Sequence, residues 1–216
     1  MLFDVTRGEL ADLFGEDRLA TLPATAFPPA AADTPGARLL RTVGVPTGTF
    51  HLREPDEESG RLPLVRDVVD VEDFEGCDGF EGCGGAAGDA AGGPGAWPVI
   101  GWLLNAHIAL APGSGAVYAV DLEEEAVLGL HTDVSSLIHV TLRFQRLLEE
   151  FTFGDDDEEA GFERLDREVD RIRAEIGGVD PLPFRDDETT WSVIGDEIAA
   201  GRRFRAGSPA ARRLYG

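Results

Sequence analysis

Two long stretches in the C-terminal half repeat apolar residues at intervals of three and four. Leu137, Val140, Phe144, Leu147 and Phe151 form one stripe; Phe162, Leu165, Val169, Ile172 and Ile176 form another. That period places each set on one face of a helix. Asp133 stands at the N-cap position of the first. Glu163/Arg167 and Arg164/Glu168, each four apart and opposite in sign, suit the solvent face of the second. Gly177-Gly178 ends that helix and Pro181 prevents its resumption. A further helix is predicted over DDETTWSVIGDEIAAG, with Trp191, Ile194 and Ile198 inward and Gly201 as exit. The remaining tail, RRFRAGSPAARRLYG, is the one basic block, and its last residues are expected to be disordered.

The N-terminal part opens with helical signals. In VTRGELADLF, Thr6 and Glu9 have capping-box spacing, Leu10, Leu13 and Phe14 make the apolar face, and Gly15 is the stop. In TPGARLLRTVG, Thr34 is the cap, Pro35 takes the first helical position and Gly44 the exit. Val45-Pro46 then requires extended backbone. TFHLRE (Thr49 to Glu54) alternates as a strand does, and LPLVRDVVDVEDF reads as one or two strands with acidic ends. WPVIGWLLN, HIALAP, AVYAVD and AVLGLH read as four short strands joined by turn chemistry. Strands in such quick succession leave no room for crossover helices, so the block is an antiparallel meander. The predicted class is α+β, a mainly meander antiparallel sheet of about six strands flanked by N- and C-terminal helices. One domain is expected over 1–201, interrupted by a glycine-rich insertion at 76–96 and followed by the basic tail at 202–216.

Charge alters the picture most. The 216 residues carry a net charge of −22, and none of the basic residues is lysine. Such a surface repels nucleic acid and anionic membranes and speeds encounter with basic proteins. No apolar run reaches the ~20 residues that span a bilayer. MLFDVTRGELADLFGEDR is charged throughout and has no apolar leader core, so a cytoplasmic protein is expected.

Motifs for chemistry are sparse. Cys77 and Cys83 are separated by five residues, which is not the spacing of a zinc knuckle or a thioredoxin-like site. Asp78, Glu81 and Asp89 beside them are hard ligands, poorly matched to thiolates. The segment reads as a flexible insertion, and no metal or cofactor is expected. His131, Ser135, Ser136 and His139 bring hydroxyl and imidazole together, but without the strand–turn–helix elbow of a serine hydrolase. His107 reads as a core or surface histidine and not a base. GSGAVYAV lacks the lysine of a phosphate loop and leads into a strand. Carboxylates are too many for any pair to stand out as catalytic. The acidic runs fall at loops and strand ends, which suits solvated loops or a negative surface shared among them.

The chain resembles the SUKH superfamily (Smi1/Knr4-like domain), in particular the SUKH-4 immunity proteins of actinobacterial polymorphic toxin systems. VTRGELADLFGEDRLATLP is similar to the family's entry helix and Leu-Pro segment, and ARLLRTVGVPTGTFHL to its helix, Gly-x-Pro exit and first strand. SGAVYAVDLEEEAVLGLHTDVSSLIHVTLRFQRLLEEF resembles its strand, turn, strand and capped helix. VDPLPFRDDETTWSVIGDEIAAG resembles its Asp-Pro element and Trp-bearing helix. His131-Thr132-Asp133 replaces the usual asparagine before the capped helix. The resemblance implies a non-enzymatic protein that binds a cognate toxin domain, often a nuclease or nucleic-acid deaminase, and blocks it inside the producing cell. A regulatory or scaffold module of the same fold, and an enzyme without a linear motif, are the alternatives. Contacts are expected from the acidic loops: Glu54, Asp56, Glu57, Glu58, Asp121, Glu123, Glu124, Glu125, Asp155, Asp156 and Asp157.

Overall fold

The structure, a computed structural model, describes residues 1–69, 93–121, 126–154 and 158–215. The chain forms two compact units, Met1–Ile138 and His139–Gly216.

In the first unit, α1 (Arg7–Phe14) starts where Thr6 accepts a hydrogen bond from the Glu9 amide at 3.2 Å and ends at Gly15. Leu10 and Phe14, four apart, are its buried line. Leu13, expected on the same face, lies off that line and stays 37% exposed. Two strands too short to show periodicity follow: β1 (Leu19–Ala20) pairs antiparallel with β2 (Val45–Pro46). Between them lie α2 (Pro29–Ala32) and α3 (Pro35–Thr42). Thr34 caps α3 by accepting from the Ala37 amide at 3.2 Å. Gly44 leaves the helix at φ 83°, and a Cβ there would lie 2.6 Å from the Ala20 carbonyl oxygen, so only glycine brings β2 against β1.

The main sheet is an antiparallel meander in the order β3-β4-β5-β6-β7, all in this unit. Its strands are β3 (His51–Leu52), β4 (Val99–Leu103), β5 (Ala106–Leu110), β6 (Val117–Asp121) and β7 (Ala126–His131). The four strands expected from 97 to 131 are therefore present, whereas β3 is shorter than the Thr49–Glu54 run. The expected strand over LPLVRDVVDVEDF does not form in its described part. Leu64 makes one bridge to Pro98, and the chain then turns into α4 (Val65–Val68). The Asp67 carboxylate accepts from the Leu64 amide at 2.8 Å, a local bond that favours a helical turn over an extended β-branched run. The rest of that run, and the cysteine segment apart from its last residues, lie outside the described residues.

Alternate residues bury both faces of the middle of the sheet. Ile108, Leu110, Val117 and Ala119 face one side. Val99, Ala109, Tyr118, Val120 and Val127 face the other, packed with Val65 and with Trp97, whose ring lies 4.5 Å from that of Tyr118.

In the second unit, the end of α5 (Val134–Glu150) is followed by α6 (Glu158–Gly177), α7 (Thr190–Ala199) and α8 (Pro209–Leu214). Leu165, Val169, Ile172 and Ile176 are buried as the period predicts. Trp191 is fully buried and stacks on Phe144 at 5.7 Å and 7°. The basic tail carries α8 and packs part of its length into this unit. Ser208 caps α8 through the Ala211 amide at 3.1 Å, Phe204, Ala210 and Ala211 are buried, and the Tyr215 hydroxyl donates to the Gly201 carbonyl at 2.7 Å.

Candidate functional site

Of the acidic residues expected to make contacts, four lie together in one described place, the loop that leaves β3. The Arg53 amide still donates to the Ile100 carbonyl at 2.9 Å; the chain then bulges outward and closes where the Asp56 amide donates to the Arg61 carbonyl at 2.9 Å. Asp56 shapes the loop from within. Its carboxylate accepts from the amides of Ser59 at 2.8 Å and Glu58 at 3.1 Å. The Ser59 amide and hydroxyl chiefly hold that carboxyl below its ordinary value. Glu54, Glu57 and Glu58 are exposed and have no cationic partner among the described residues. The loop therefore presents three exposed carboxylates on a frame fixed by a fourth.

Asp121 is elsewhere. The register pairs Ala106 with Asp121, next to the β4–β5 turn, whereas the 54–58 loop departs beside Ile100 and the start of β4. These are opposite ends of the strands, so the two acidic groups do not form one patch. Glu123, Glu124, Glu125, Asp155, Asp156 and Asp157 lie outside the described residues, as do Cys77 and Cys83.

Trp102 is not among the contacts expected from the sequence. The row His51–Trp102–His107–Val120–Val127 runs across the sheet on one face. Burial falls along it: Val120 is inaccessible, His107 half-buried and Trp102 41% exposed. Trp102 stacks on His51 at 5.4 Å and 13°. His107, whose Nδ1 is buried without a hydrogen-bond partner among the described residues, is held below its ordinary pKa by burial and then by the charge of Arg53.

The serine–histidine group is a helix cap. Asp133 accepts from the Ser135 hydroxyl at 2.6 Å and the Ser136 amide at 3.0 Å, and its other oxygen accepts from the Leu2 amide at 2.9 Å. His131 Nδ1 meets the Ser136 hydroxyl at 2.9 Å, with both residues fully buried. The carboxylate thus serves helix and hydroxyl, and the buried Ser136 is closed to a substrate. Burial raises the Asp133 pKa, but the bonds from Ser135, Ser136 and Leu2, with the nearby terminal ammonium, lower it further, and the net direction is down. A depressed folded pKa stabilises the native state above the unfolded value of about 3.9 and loses that contribution as pH falls through the folded value. Asp133→Ala is expected to cost about 1–2 kcal/mol at neutral pH. Urea denaturation across the acid range should show a shallower loss of stability for Asp133→Asn than for the wild type.

In the second unit a groove of about 460 Å³ is lined by Arg143, Arg146, Arg164 and Arg171 over Phe151 and Ile172. Its cations are already engaged. Arg143 pairs with Glu175, Arg146 with Glu150 at 2.9 Å and Arg171 with Glu168 at 2.8 Å. Arg164 donates to the Thr152 carbonyl and covers the Phe151 ring at 5.1 Å. Among the described residues no cluster of histidines, cysteines and carboxylates suits a metal ion, and no helix is long and apolar enough to cross a membrane.

Comparison with protein-family models matches residues 5–197 to the SUKH-4 immunity protein family. No curated protein and no solved structure matches the chain.

Proposed function

We propose that this chain, which belongs to the SUKH-4 immunity protein family, neutralises a cognate toxin domain by stoichiometric contact through an acidic surface, without turning over a substrate. The toxin is a nuclease or nucleic-acid deaminase, held inactive in the cytoplasm of the cell that makes it. The observation that carries this reading is the loop after β3. Glu54, Glu57 and Glu58 stand exposed, without cationic partners among the described residues, on a frame closed by Asp56. An enzyme that handles nucleic acid concentrates positive charge where the phosphates pass, and a fixed cluster of carboxylates competes for that cleft. Net charge of −22 accelerates the encounter, and loop shape selects the partner.

The test is kinetic. Glu54→Gln, Glu57→Gln and Glu58→Gln combined should slow association with the toxin domain encoded beside this gene by about tenfold at low salt. The gap should close as salt rises, because exposed charges are screened beyond about 10 Å at 0.1 M ionic strength. An association rate unchanged at low salt would remove the acidic surface from the mechanism. Failure of the wild-type chain to bind the toxin or to rescue toxin-expressing cells would remove the toxin.

A further inference from the structure

We propose that Trp102, backed by His51, is the anchor on which the toxin closes, with the carboxylates of the 54–58 loop as its rim. This inference rests on the function proposed above and names the surface that performs it. Of the three tryptophans, Trp97 and Trp191 are buried to 1% and 0% exposure, while Trp102 keeps 41% of its surface in solvent. It sits on β4 and not on a loop, and the parallel His51 ring on β3 holds it from the side. A large aromatic side chain already fixed on a strand loses little conformational freedom on binding. Tryptophan is among the residues most often found at the centre of binding energy, in a site ringed by polar contacts that exclude water.

The charge beside it identifies the occupant. β3 runs from His51 directly into the loop that carries Glu54, Asp56, Glu57 and Glu58, against which stand only Arg53 and Arg61 within 53–61. The balance is negative. The complement is a basic protein surface with an apolar recess for the indole, and not a nucleic acid. Cross-strand stacking also steadies the sheet edge, by about 0.2–1 kcal/mol for such a pair. That role alone accounts for a small change in stability, and does not account for a change in affinity.

The experiment uses the full chain and the catalytically inactivated toxin domain encoded beside its gene. Trp102→Ala should weaken binding by about thirtyfold or more, with a thermal midpoint close to that of the wild type. Leu128→Ala, which truncates another exposed apolar residue on the opposite edge strand β7, should leave affinity unchanged. The chain labelled with fluorotryptophan should show a single fluorine resonance displaced by unlabelled toxin, assigned to Trp102 by its absence in Trp102→Phe. That measurement needs no truncated variant to fold. Wild-type binding with an unshifted Trp102 resonance, or with equal affinity of Trp102→Ala, overturns the anchor and leaves the immunity reading standing. No binding by the wild type overturns both. A wild-type dimer in sedimentation that Trp102→Ala converts to monomer overturns the toxin as occupant in favour of a second copy of this chain.

Discussion

Trp191→Ala is expected to lower the unfolding free energy by about 3–5 kcal/mol, the range for removing a fully buried aromatic side chain. Trp191 has no accessible surface, and it stacks on Phe144 at 5.7 Å with planes 7° apart. Phe184 meets Phe144 edge-on, with ring centroids 6.1 Å apart. The loss has two parts. Folding no longer gains the burial of the indole's apolar area, and the native state keeps a hole that the surrounding side chains close only in part. Gly195, one turn along α7, shows how tightly these helices approach: a Cβ there would come within 3.1 Å of the Val169 side chain. Helices already that close have little room to collapse further. Urea denaturation should show a large drop in midpoint. Val193→Ala on the same helix, where the side chain is 36% exposed, should fall within about 0.5–1 kcal/mol of wild type. A Trp191 variant as stable as Val193→Ala would show that Trp191 is not the centre of this core.

The elements that were legible in the chain are those whose signal is local. Thr6, Thr34 and Asp133 each accept the backbone amide that an N-cap should, and Gly15 and Gly44 take the positive φ that ends a helix. The meander was legible because short connections forbid crossovers. What stayed hidden depends on long-range pairing. β1 and β2, at two residues each, are too short for any period, and they exist because Gly44 lets one backbone touch the other. Val65 to Val69 has the composition of a strand, but the single bond from the Leu64 amide to Asp67 redirects it. The tail's basic composition masked a Ser208-Pro209 helix start and two buried alanines. The candidate site divides in the same way. Acidic residues were visible as a set, yet only the register shows that Asp121 and the 54–58 loop leave the sheet at opposite ends. Trp102 was invisible as a surface residue, because its strand is apolar throughout and nothing local says which face remains uncovered.

That dependence on register gives Gly101 an importance its size conceals. Gly101 pairs with Leu52 and follows the bulge between Val99 and Gly101, so β3 lies against a strand with no side chain at that point. A Cβ there would press on the His51 carbonyl and the buried Phe50 ring, well inside the 3.0 Å that real Cβ atoms respect. Backbone on one side and a buried ring on the other leave nothing flexible to give way. Gly101→Val is therefore expected to cost about 2–3 kcal/mol, although valine favours strands, because overpacking outweighs β propensity here. The damage should be directional. Among the described residues β3 is an edge strand of two residues paired with β4 alone, so the least costly relief is for it to leave β4. The Arg53 amide, which donates to Ile100 at 2.9 Å, should then lose its protection from hydrogen exchange. His51 would move away from Trp102, and the Glu54–Glu58 loop would lose its fixed origin. Toxin affinity should fall with the exchange protection, in a variant that keeps every proposed contact residue. Gly93→Ala, where no atom of the described residues lies within 4 Å of an added Cβ, should change stability by no more than about 0.5 kcal/mol and leave affinity intact. If Gly101→Val retained both Arg53 protection and binding, the close approach of β3 to β4 would not be what aims the acidic loop.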